Sequence, residues 1–193
     1  MVRKYEITEP SRCRNCDKRD NCEFLEKIQQ APFDSFGVVL DCKSFYYTFC
    51  ELEKTKESYR HSIDSNDVND EGISTKPFLD PALVVNGVLA AELALKALIL
   101  EETGLFDCIH DLEKLFNALP EPHKTALTDR LKAGAHQNDA TLCANLRIIK
   151  DFFVEWRYFF VKEALGYSGF LLSFVHIVCD YVIDEVTVSG KTD

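Results

Sequence analysis

The sequence has few basic residues for its number of acidic ones. It contains 22 Lys and Arg residues against 32 Asp and Glu residues, so its formal net charge is -10 at pH 7. A protein that coats nucleic acid without regard to sequence needs a surplus of positive charge to neutralise phosphates. The composition therefore argues against that class of protein, although it leaves room for a local basic patch.

Signals for secretion and for membrane insertion are also missing. Residues 1–6 lack the apolar core of a secretory signal peptide. We take residues 169–183 as the longest apolar stretch, and Ser173, His176 and Asp180 interrupt it. Such a stretch is too short and too polar to span a bilayer. We therefore expect a cytoplasmic protein without membrane contact.

No segment alternates apolar and polar residues for long enough to require a β-strand, and the sequence has no internal repeat. Hydrophobic residues make up 46% of the chain, which is typical of a globular protein and excludes wholesale disorder. A length of 193 residues suffices for one ordinary core and a small appendage. We therefore predict an all-α protein, an antiparallel bundle of four to five helices with a small N-terminal segment.

Helical spacing and capping signals predict the first half of the bundle. An aromatic-rich helix is expected over residues 44–59, followed by a polar loop over residues 61–76. Asp80 is predicted to cap the start of the next helix, with Pro81 at its first position, and Gly104 is typical of a helix end. The helix between them is apolar around most of its circumference, which predicts a central, buried position.

The second half of the bundle is predicted to begin with a short helix capped by Asp111 and a helix over residues 121–132. A long helix then starts at the cap Asp139, and a last helix covers residues 168–185. The apolar residues of the long helix recur at spacings of 4, 3, 4, 3 and 4, a seam that faces a partner helix. These residues are Leu142, Leu146, Ile149, Phe153, Trp156 and Phe160. Further apolar residues beside the seam (Ile148, Phe152 and Phe159) predict self-association, so we expect a homodimer.

The first 43 residues contain a cluster of cysteines at Cys13, Cys16, Cys22 and Cys42. A tetrahedral zinc ion needs four converging ligands, and a CxxC turn supplies two thiolates to one ion without strain. The segment has few other core residues, so it would need a metal to hold its shape. We therefore predict that residues 1–43 form a zinc-binding segment.

Other interpretations of the cysteines stay open. Four unrelated free thiols would give the same sequence, and an iron–sulfur cluster would use the same four ligands. A redox-active CxxC pair is expected in a βαβ context that this sequence lacks, and a disulfide framework is expected in secreted proteins. The other four cysteines lie in or beside helical patterns and are interpreted as buried hydrophobic residues. These are Cys50, Cys108, Cys143 and Cys179.

Three segments of the predicted bundle resemble the HEPN superfamily of helical-bundle proteins. The segment from Asn86 to Ile99 contains a Glu92–x3–Lys96 pair, as the family's helix does. Residues 110–116 read His-Asp-Leu-Glu-Lys-Leu-Phe and resemble the family's "HDL…LF" element. Residues 153–158 read Phe-Val-Glu-Trp-Arg-Tyr and are similar to its "WRY" element. The three segments occur in the family's order.

The resemblance covers residues 44–186 and implies a helical bundle and frequent dimerisation, and we expect residues 187–193 to form a flexible tail. Many members of the family are metal-independent ribonucleases of toxin–antitoxin or phage-defence systems, and others bind RNA or nucleotides without cleaving them. Active members carry an Arg-x4–6-His motif that positions the ribose and the scissile phosphate. After Arg157 the corresponding positions hold Lys162, Glu163 and Ala164. We therefore expect weak or absent ribonuclease activity.

The predicted ligand-binding residues are Glu92, Lys96, His110, Asp111 and Arg157. Glu92 and Lys96 are one helical turn apart on an apolar helix, where buried charges must be paired. His110 and Arg157 are additional partners for them. Such a network fixes the register of the helices, or it forms a recessed anion pocket in which the planar guanidinium of Arg157 binds phosphate.

Three functions are compatible with these features. The first is an RNA- or nucleotide-binding protein of a prokaryotic defence or toxin–antitoxin system, with a cognate antitoxin or another protein as partner. The second is a structural or interaction protein that dimerises and has no role with nucleic acid. The third is a metal-independent endoribonuclease that uses Arg130 and His136, which have the motif's spacing in a predicted loop.

Overall fold

The computed structural model of the chain describes residues 35–61, 79–104, 109–134, 138–157 and 169–189, without the side chains of 59–61, 154, 155, 157 and 186–189. All regular structure in these ranges is helical, which confirms the predicted all-α class. The helices are α1 (Ser35–His61), α2 (Asp80–Thr103), α3 (Leu112–Asn117), α4 (Glu121–Gly134), α5 (Asp139–Ile149), α6 (Phe152–Arg157) and α7 (Gly169–Ser189).

Helix α2 is the centre of the bundle, as its apolar sequence predicts. It packs against α1, α3, α6 and α7, and residues on all sides of it are buried. By length and composition α2 is apolar enough to cross a membrane, a property that we attributed to no segment. However, 78% of its most apolar window is buried inside the bundle. Its apolar character is therefore that of a core helix, which is consistent with a soluble protein.

The two ends of α2 differ in how well the sequence predicts them. Gly104 ends the helix as expected, with a left-handed φ of 69° and its N–H donating to the carbonyl of Leu100 at 2.8 Å. The prediction that Asp80 caps the start is wrong, because the N-cap residue is Leu79 and no side chain caps the first turn. Asp80 instead forms an ion pair with Lys56 of α1.

Helix α1 begins at Ser35, nine residues before the predicted start at residue 44. Val38, Val39 and Cys42 are buried and continue the helical face on which Phe49 lies. The apolar periodicity therefore begins before the aromatic residues on which the predicted start of this helix was based. Residues 35–43, which we assigned to the zinc-binding segment, form the first turns of α1.

Gly87 of α2 sets how closely three helices approach one another. A Cβ atom on this residue would lie 2.7 Å from Cδ2 of Phe49 on α1 and 3.3 Å from Cγ2 of Val175 on α7. Both of these neighbours are fully buried. Only a residue without a side chain fits at this crossing in the observed geometry.

The predicted long helix is interrupted, and this prediction is wrong. Lys150 and Asp151 form a turn between α5 and α6. The carbonyl of Lys150 accepts a hydrogen bond from the N–H of Leu112 at 3.2 Å, outside its own helix. The cap of α5 is Asn138 rather than Asp139, and Asn138 forms a capping box with Thr141.

Burial of the seam is confirmed for the five of its residues that the structure describes, Leu142 to Trp156. Of the apolar residues beside the seam, Phe152 is also buried in the bundle, whereas Ile148 is 58% exposed. The apolar surface available for self-association on α5 and α6 is therefore smaller than the sequence predicts. Phe159 and Phe160 lie outside the described residues.

Candidate functional site

The Glu92 carboxylate lies inside the bundle, on the central helix α2. Its side chain is only 2% exposed, and that of Lys96 is 4% exposed. Lys96 lies one turn further along α2 and donates a hydrogen bond from Nζ to Oε1 of Glu92 at 2.7 Å. The pairing predicted from the i, i+4 spacing is therefore present, and it is buried.

His110 connects this buried pair to the surface. Its Nδ1 lies 2.9 Å from Oε1 and 3.0 Å from Oε2 of Glu92. An ionised carboxylate only accepts hydrogen bonds, so Nδ1 carries the hydrogen. The side chain of His110 is 52% exposed, and its ring stacks on the buried ring of Phe153, with centroids 5.3 Å apart and planes 28° apart. Among the described residues, the hydrogen bonds of the ring involve Nδ1 alone, and Nε2 is the other ring nitrogen.

Two opposing effects set the pKa of the Glu92 carboxyl. Burial raises this pKa, because it disfavours the charged form. The hydrogen bond from His110 and the positive charge of Lys96 lower it by more, so the pKa of Glu92 lies below its ordinary value. Glu92 is therefore ionised at neutral pH, and its charge is balanced within the site.

Asp111 has a structural task in the observed geometry. It is the N-cap of α3, and its Oδ1 accepts a hydrogen bond from the backbone N–H of Lys114 at 3.0 Å. Its Oδ2 also lies 3.2 Å from Nζ of Lys114. By fixing the start of α3, Asp111 positions the preceding residue, His110, over Glu92.

Arg157 is the last residue of α6, a helix that packs against α2. Its side chain lies outside the described residues, so its predicted contact with Glu92 stays a prediction. Trp156, the neighbouring residue in the "WRY" element, is buried in the core.

Arg130 and His136 were predicted as a possible catalytic pair. The guanidinium of Arg130 lies over the ring of Tyr181 on α7, 4.8 Å from the ring centroid. The hydroxyl of Tyr181 is 2.8 Å from Nδ1 of His123. These contacts give Arg130 a role in packing α4 against α7. His136 lies outside the described residues, so the catalytic pair stays a prediction.

Cys42 is fully buried in α1, where it contacts the thiol of Cys179 on α7. Burial raises the pKa of the Cys179 thiol well above its ordinary value. Cys13, Cys16 and Cys22 lie outside the described residues. Within the described ranges, no group of three or more His, Cys, Asp or Glu residues is placed to hold a metal ion. The four-cysteine zinc site therefore stays a prediction.

The other cysteines fit the predicted role of buried hydrophobic residues to different degrees. Cys179 is buried and Cys50 is partly buried, whereas Cys143 on α5 is exposed. Cys108 lies outside the described residues.

Sequence reasoning missed a second polar cluster, which joins α1 to α7. The hydroxyl of Tyr46 donates to Oδ1 of Asp180 at 2.8 Å and lies 2.7 Å from Nδ1 of His176. Nε2 of His176 lies 2.9 Å from Oε2 of Glu53. The imidazole of His176 therefore lies between Tyr46 of α1 and Glu53 of the same helix and contacts both. Burial, together with the hydrogen bond to Asp180, raises the pKa of Tyr46 far above its ordinary value, so its hydroxyl stays neutral.

The sequence contains one weak signal for this α1–α7 polar cluster, which is two polar residues one helical turn apart on α7. His176 and Asp180 are four residues apart, and Tyr46 and Glu53 are seven residues apart on α1. The two pairs are far apart in sequence, so the spacing on each helix gives no indication that they meet. The cluster fixes the packing of α1 against α7.

The fold and the site together define a helical bundle with a buried carboxylate that an exposed imidazole connects to the surface. A family model of the HEPN domain matches residues 82–185, more than half of the chain. The chain belongs to the HEPN domain family, a family of nucleotide- and RNA-related helical bundles, which confirms the resemblance seen in the sequence. No curated protein and no solved structure matches it.

Proposed function

We propose that this HEPN-family protein binds RNA or nucleotides where His110 covers the buried Glu92–Lys96 pair, and that it is a weak or inactive ribonuclease. The observation that carries the proposal is the connection of a buried charged pair to the surface through one imidazole. Burying two charges costs free energy that a well-packed apolar pair would not cost. A network that only fixed helix register would not need a ring that is half exposed.

Glu92 and Lys96 balance each other, so the further positive charge of Arg157 is what favours an anionic ligand. One carboxylate, Glu92, faces the cationic Lys96 and the imidazole of His110. Arg157 ends α6, which packs against α2, and we propose that its guanidinium adds the planar, bidentate contact that phosphate prefers. Phosphate groups of RNA or of a nucleotide are therefore the ligand chemistry that this site fits.

Cleavage of RNA needs groups that exchange protons near neutral pH, and histidine is the usual choice. Arginine stabilises negative charge on a phosphate but stays protonated. Active members of the family have a histidine shortly after the motif arginine. This chain has no histidine at the corresponding positions after Arg157. His110 is the one histidine that we place in the site, and a single imidazole supplies one of the two proton transfers.

A role in a prokaryotic defence or toxin–antitoxin system, with a cognate protein partner, is part of the proposal and rests on the family alone. The identity of neighbouring genes tests it. An adjacent antitoxin or nucleotidyltransferase gene would support this role. Neighbours with no connection to defence would contradict it.

The experiment compares RNA cleavage and nucleotide binding by the wild type and three variants, Arg157→Ala, His110→Ala and His136→Ala. Circular dichroism checks that each variant folds. We expect no efficient cleavage by any of them, and weaker nucleotide binding by folded Arg157→Ala and His110→Ala, with His136→Ala as the control that binds normally. These losses follow from removal of phosphate contacts.

Two results would overturn the proposal. Robust cleavage by the wild type that is lost only in His136→Ala would establish the alternative ribonuclease of Arg130 and His136. Absence of nucleotide and RNA binding in the wild type, together with an unfolded Arg157→Ala variant, would identify the network as structural. The protein would then belong to the alternative class of interaction proteins.

A further inference from the structure

We propose that the imidazole of His110 stacks against a nucleobase, so that the site selects ligands with an unpaired base over phosphates without a base. This inference rests on the proposed function and specifies the class of ligand. Stacking uses the face of the His110 ring, whereas the proposed phosphate contacts use hydrogen-bonding and charged groups. The two contributions can therefore be separated by experiment.

The ring of His110 is held in place before any ligand binds. Both carboxylate oxygens of Glu92 lie within hydrogen-bond distance of Nδ1, at 2.9 and 3.0 Å. One face of the ring stacks on Phe153, which is itself buried in the core. Rotation of the imidazole about its side-chain bonds would break the hydrogen bond and the ring contact together. The ring is therefore oriented in advance, which lowers the entropic cost of stacking a ligand on it.

The remaining surface of His110 is available for a planar ligand. The side chain is 52% exposed although its Nδ1 edge and one face are covered. Among the described residues, Phe153 is the one aromatic ring that contacts it. We take the opposite face and the Nε2 edge as the part of the ring that meets the ligand. An aromatic face of this kind accepts any nucleobase, because every base has a π-face.

The charge of the protein also favours a contribution from the base. With a formal net charge of -10, the molecule as a whole repels polyphosphates and nucleic-acid backbones. Binding energy must then come from contacts that do not depend on net charge, and stacking is such a contact. A base within a duplex has both faces covered by its neighbours, so the ligand must present an unpaired base.

The test uses adenosine 5′-monophosphate and ribose 5-phosphate, which share a phosphate and a ribose and differ in the base. Isothermal titration calorimetry of the wild-type protein should show that the nucleotide binds at least about tenfold more tightly than ribose 5-phosphate. His110→Phe should keep this preference, because it keeps an aromatic face. His110→Gln should lose it, although it keeps a hydrogen-bonding group. Preference kept by His110→Gln and lost by His110→Phe would overturn the inference.

A second measurement avoids substitution, since His110→Phe removes a hydrogen bond from buried Glu92. In the wild type, the Cε1–H proton of His110 should shift upfield when the nucleotide binds, and it should show no upfield shift when ribose 5-phosphate binds. Equal binding of the two probes without an upfield shift would overturn stacking and leave the proposed phosphate site intact. Failure of the nucleotide, ribose 5-phosphate and RNA to bind would overturn the proposed function itself.

One further comparison identifies the source of the base. Tighter binding of a short single-stranded oligoadenylate than of the mononucleotide would support stacking on RNA, and equal binding would support a free nucleotide. Duplex RNA of the same length should bind more weakly than the single strand. Preference for the duplex would contradict the inference.

Discussion

At the scale of single residues, the Glu92 carboxylate has a tightly constrained environment. It is almost fully buried, ionised and bound to two partners from different parts of the chain. Removing one member of a buried charge network leaves the others without compensation, which is usually more costly than the network's net contribution. The stability of the bundle should therefore depend on Glu92 and on pH together.

Glu92→Gln should destabilise the protein by about 3 kcal/mol at neutral pH, because Lys96 stays buried without its counter-charge. The pKa of Glu92 is lowered in the folded state, so its ionised form stabilises the fold above the ordinary glutamate pKa. This contribution is lost as pH falls below that value, through the folded-state pKa. Urea denaturation at pH 7 and at acidic pH should show a difference between wild type and variant that shrinks in acid.

Glu51→Gln is the matched control, because Glu51 pairs with Lys54 on the exposed side of α1. Its effect should be much smaller than that of Glu92→Gln at every pH. A difference for Glu92→Gln that is equally large at acidic and neutral pH would show that ionisation of Glu92 does not stabilise the bundle.

The residues of the candidate site were largely predictable because their signals are local. Glu92 and Lys96 follow from the i, i+4 spacing on an apolar helix, and His110 follows from the HEPN resemblance. The α1–α7 polar cluster was not predictable in the same way. Tyr46 and His176 are separated by 130 residues, so their contact depends on how two whole helices pack.

At the scale of elements, the sequence predicted the helices better than their ends. The interior of α2 follows from apolar residues around the whole helix, and its end follows from the backbone freedom of Gly104. The start of α1 and the interruption at Lys150 depend on partners elsewhere in the fold. The carbonyl of Lys150 bonds to Leu112, and periodicity within one segment contains no information about such a partner.

Gly87→Ala should destabilise the packing of α1, α2 and α7. Alanine favours a helix by about 1 kcal/mol over glycine, but its Cβ would lie 2.7 Å from the buried ring of Phe49. Overpacking of this kind typically costs about 1–3 kcal/mol, so we expect a net loss in the free energy of unfolding. Urea denaturation measures it.

Gly37→Ala on α1 is the control for this experiment, because nothing lies within 4 Å of the added Cβ there. It should leave stability unchanged or raise it slightly. If both variants were as stable as the wild type, the close approach at Gly87 would not limit the packing of the three helices.

At the scale of the whole molecule, two predictions remain to be tested: zinc binding by the N-terminal segment and formation of a homodimer. We propose that the segment binds one zinc ion through Cys13, Cys16, Cys22 and Cys42, and elemental analysis of the purified chain should find about one metal per protein. Cys13→Ala should lower this content. A metal-free protein with an ordered N-terminal segment would contradict the proposal.

The position of Cys42 inside α1 makes one variant especially informative. Cys42→Ala should lower the metal content if Cys42 is a ligand, and Cys179→Ala, its neighbour in the core, should not. Unchanged metal content in Cys42→Ala would assign Cys42 to the core of the bundle and leave a different fourth ligand.

We also propose that the protein is a homodimer, and light scattering at micromolar concentration should give twice the monomer mass. The apolar surface that supports this prediction includes Ile148, which is 58% exposed on α5. Ile148→Asp should shift the equilibrium toward monomer. Tyr47→Asp, at an exposed position on α1, provides a comparison of similar chemistry. A wild-type monomer would be incompatible with the proposal.

The hydrogen bond between the N–H of Leu112 and the carbonyl of Lys150 has a consequence for the site. His110 lies two residues before Leu112, and Phe153 lies three residues after Lys150, so this single link holds the two stacked rings in register. Every residue other than proline supplies the N–H, and every residue supplies the carbonyl. The link should therefore tolerate substitution at Lys150, whereas Leu112 is also fully buried in the core, and an inserted or deleted residue in either connection would separate the rings.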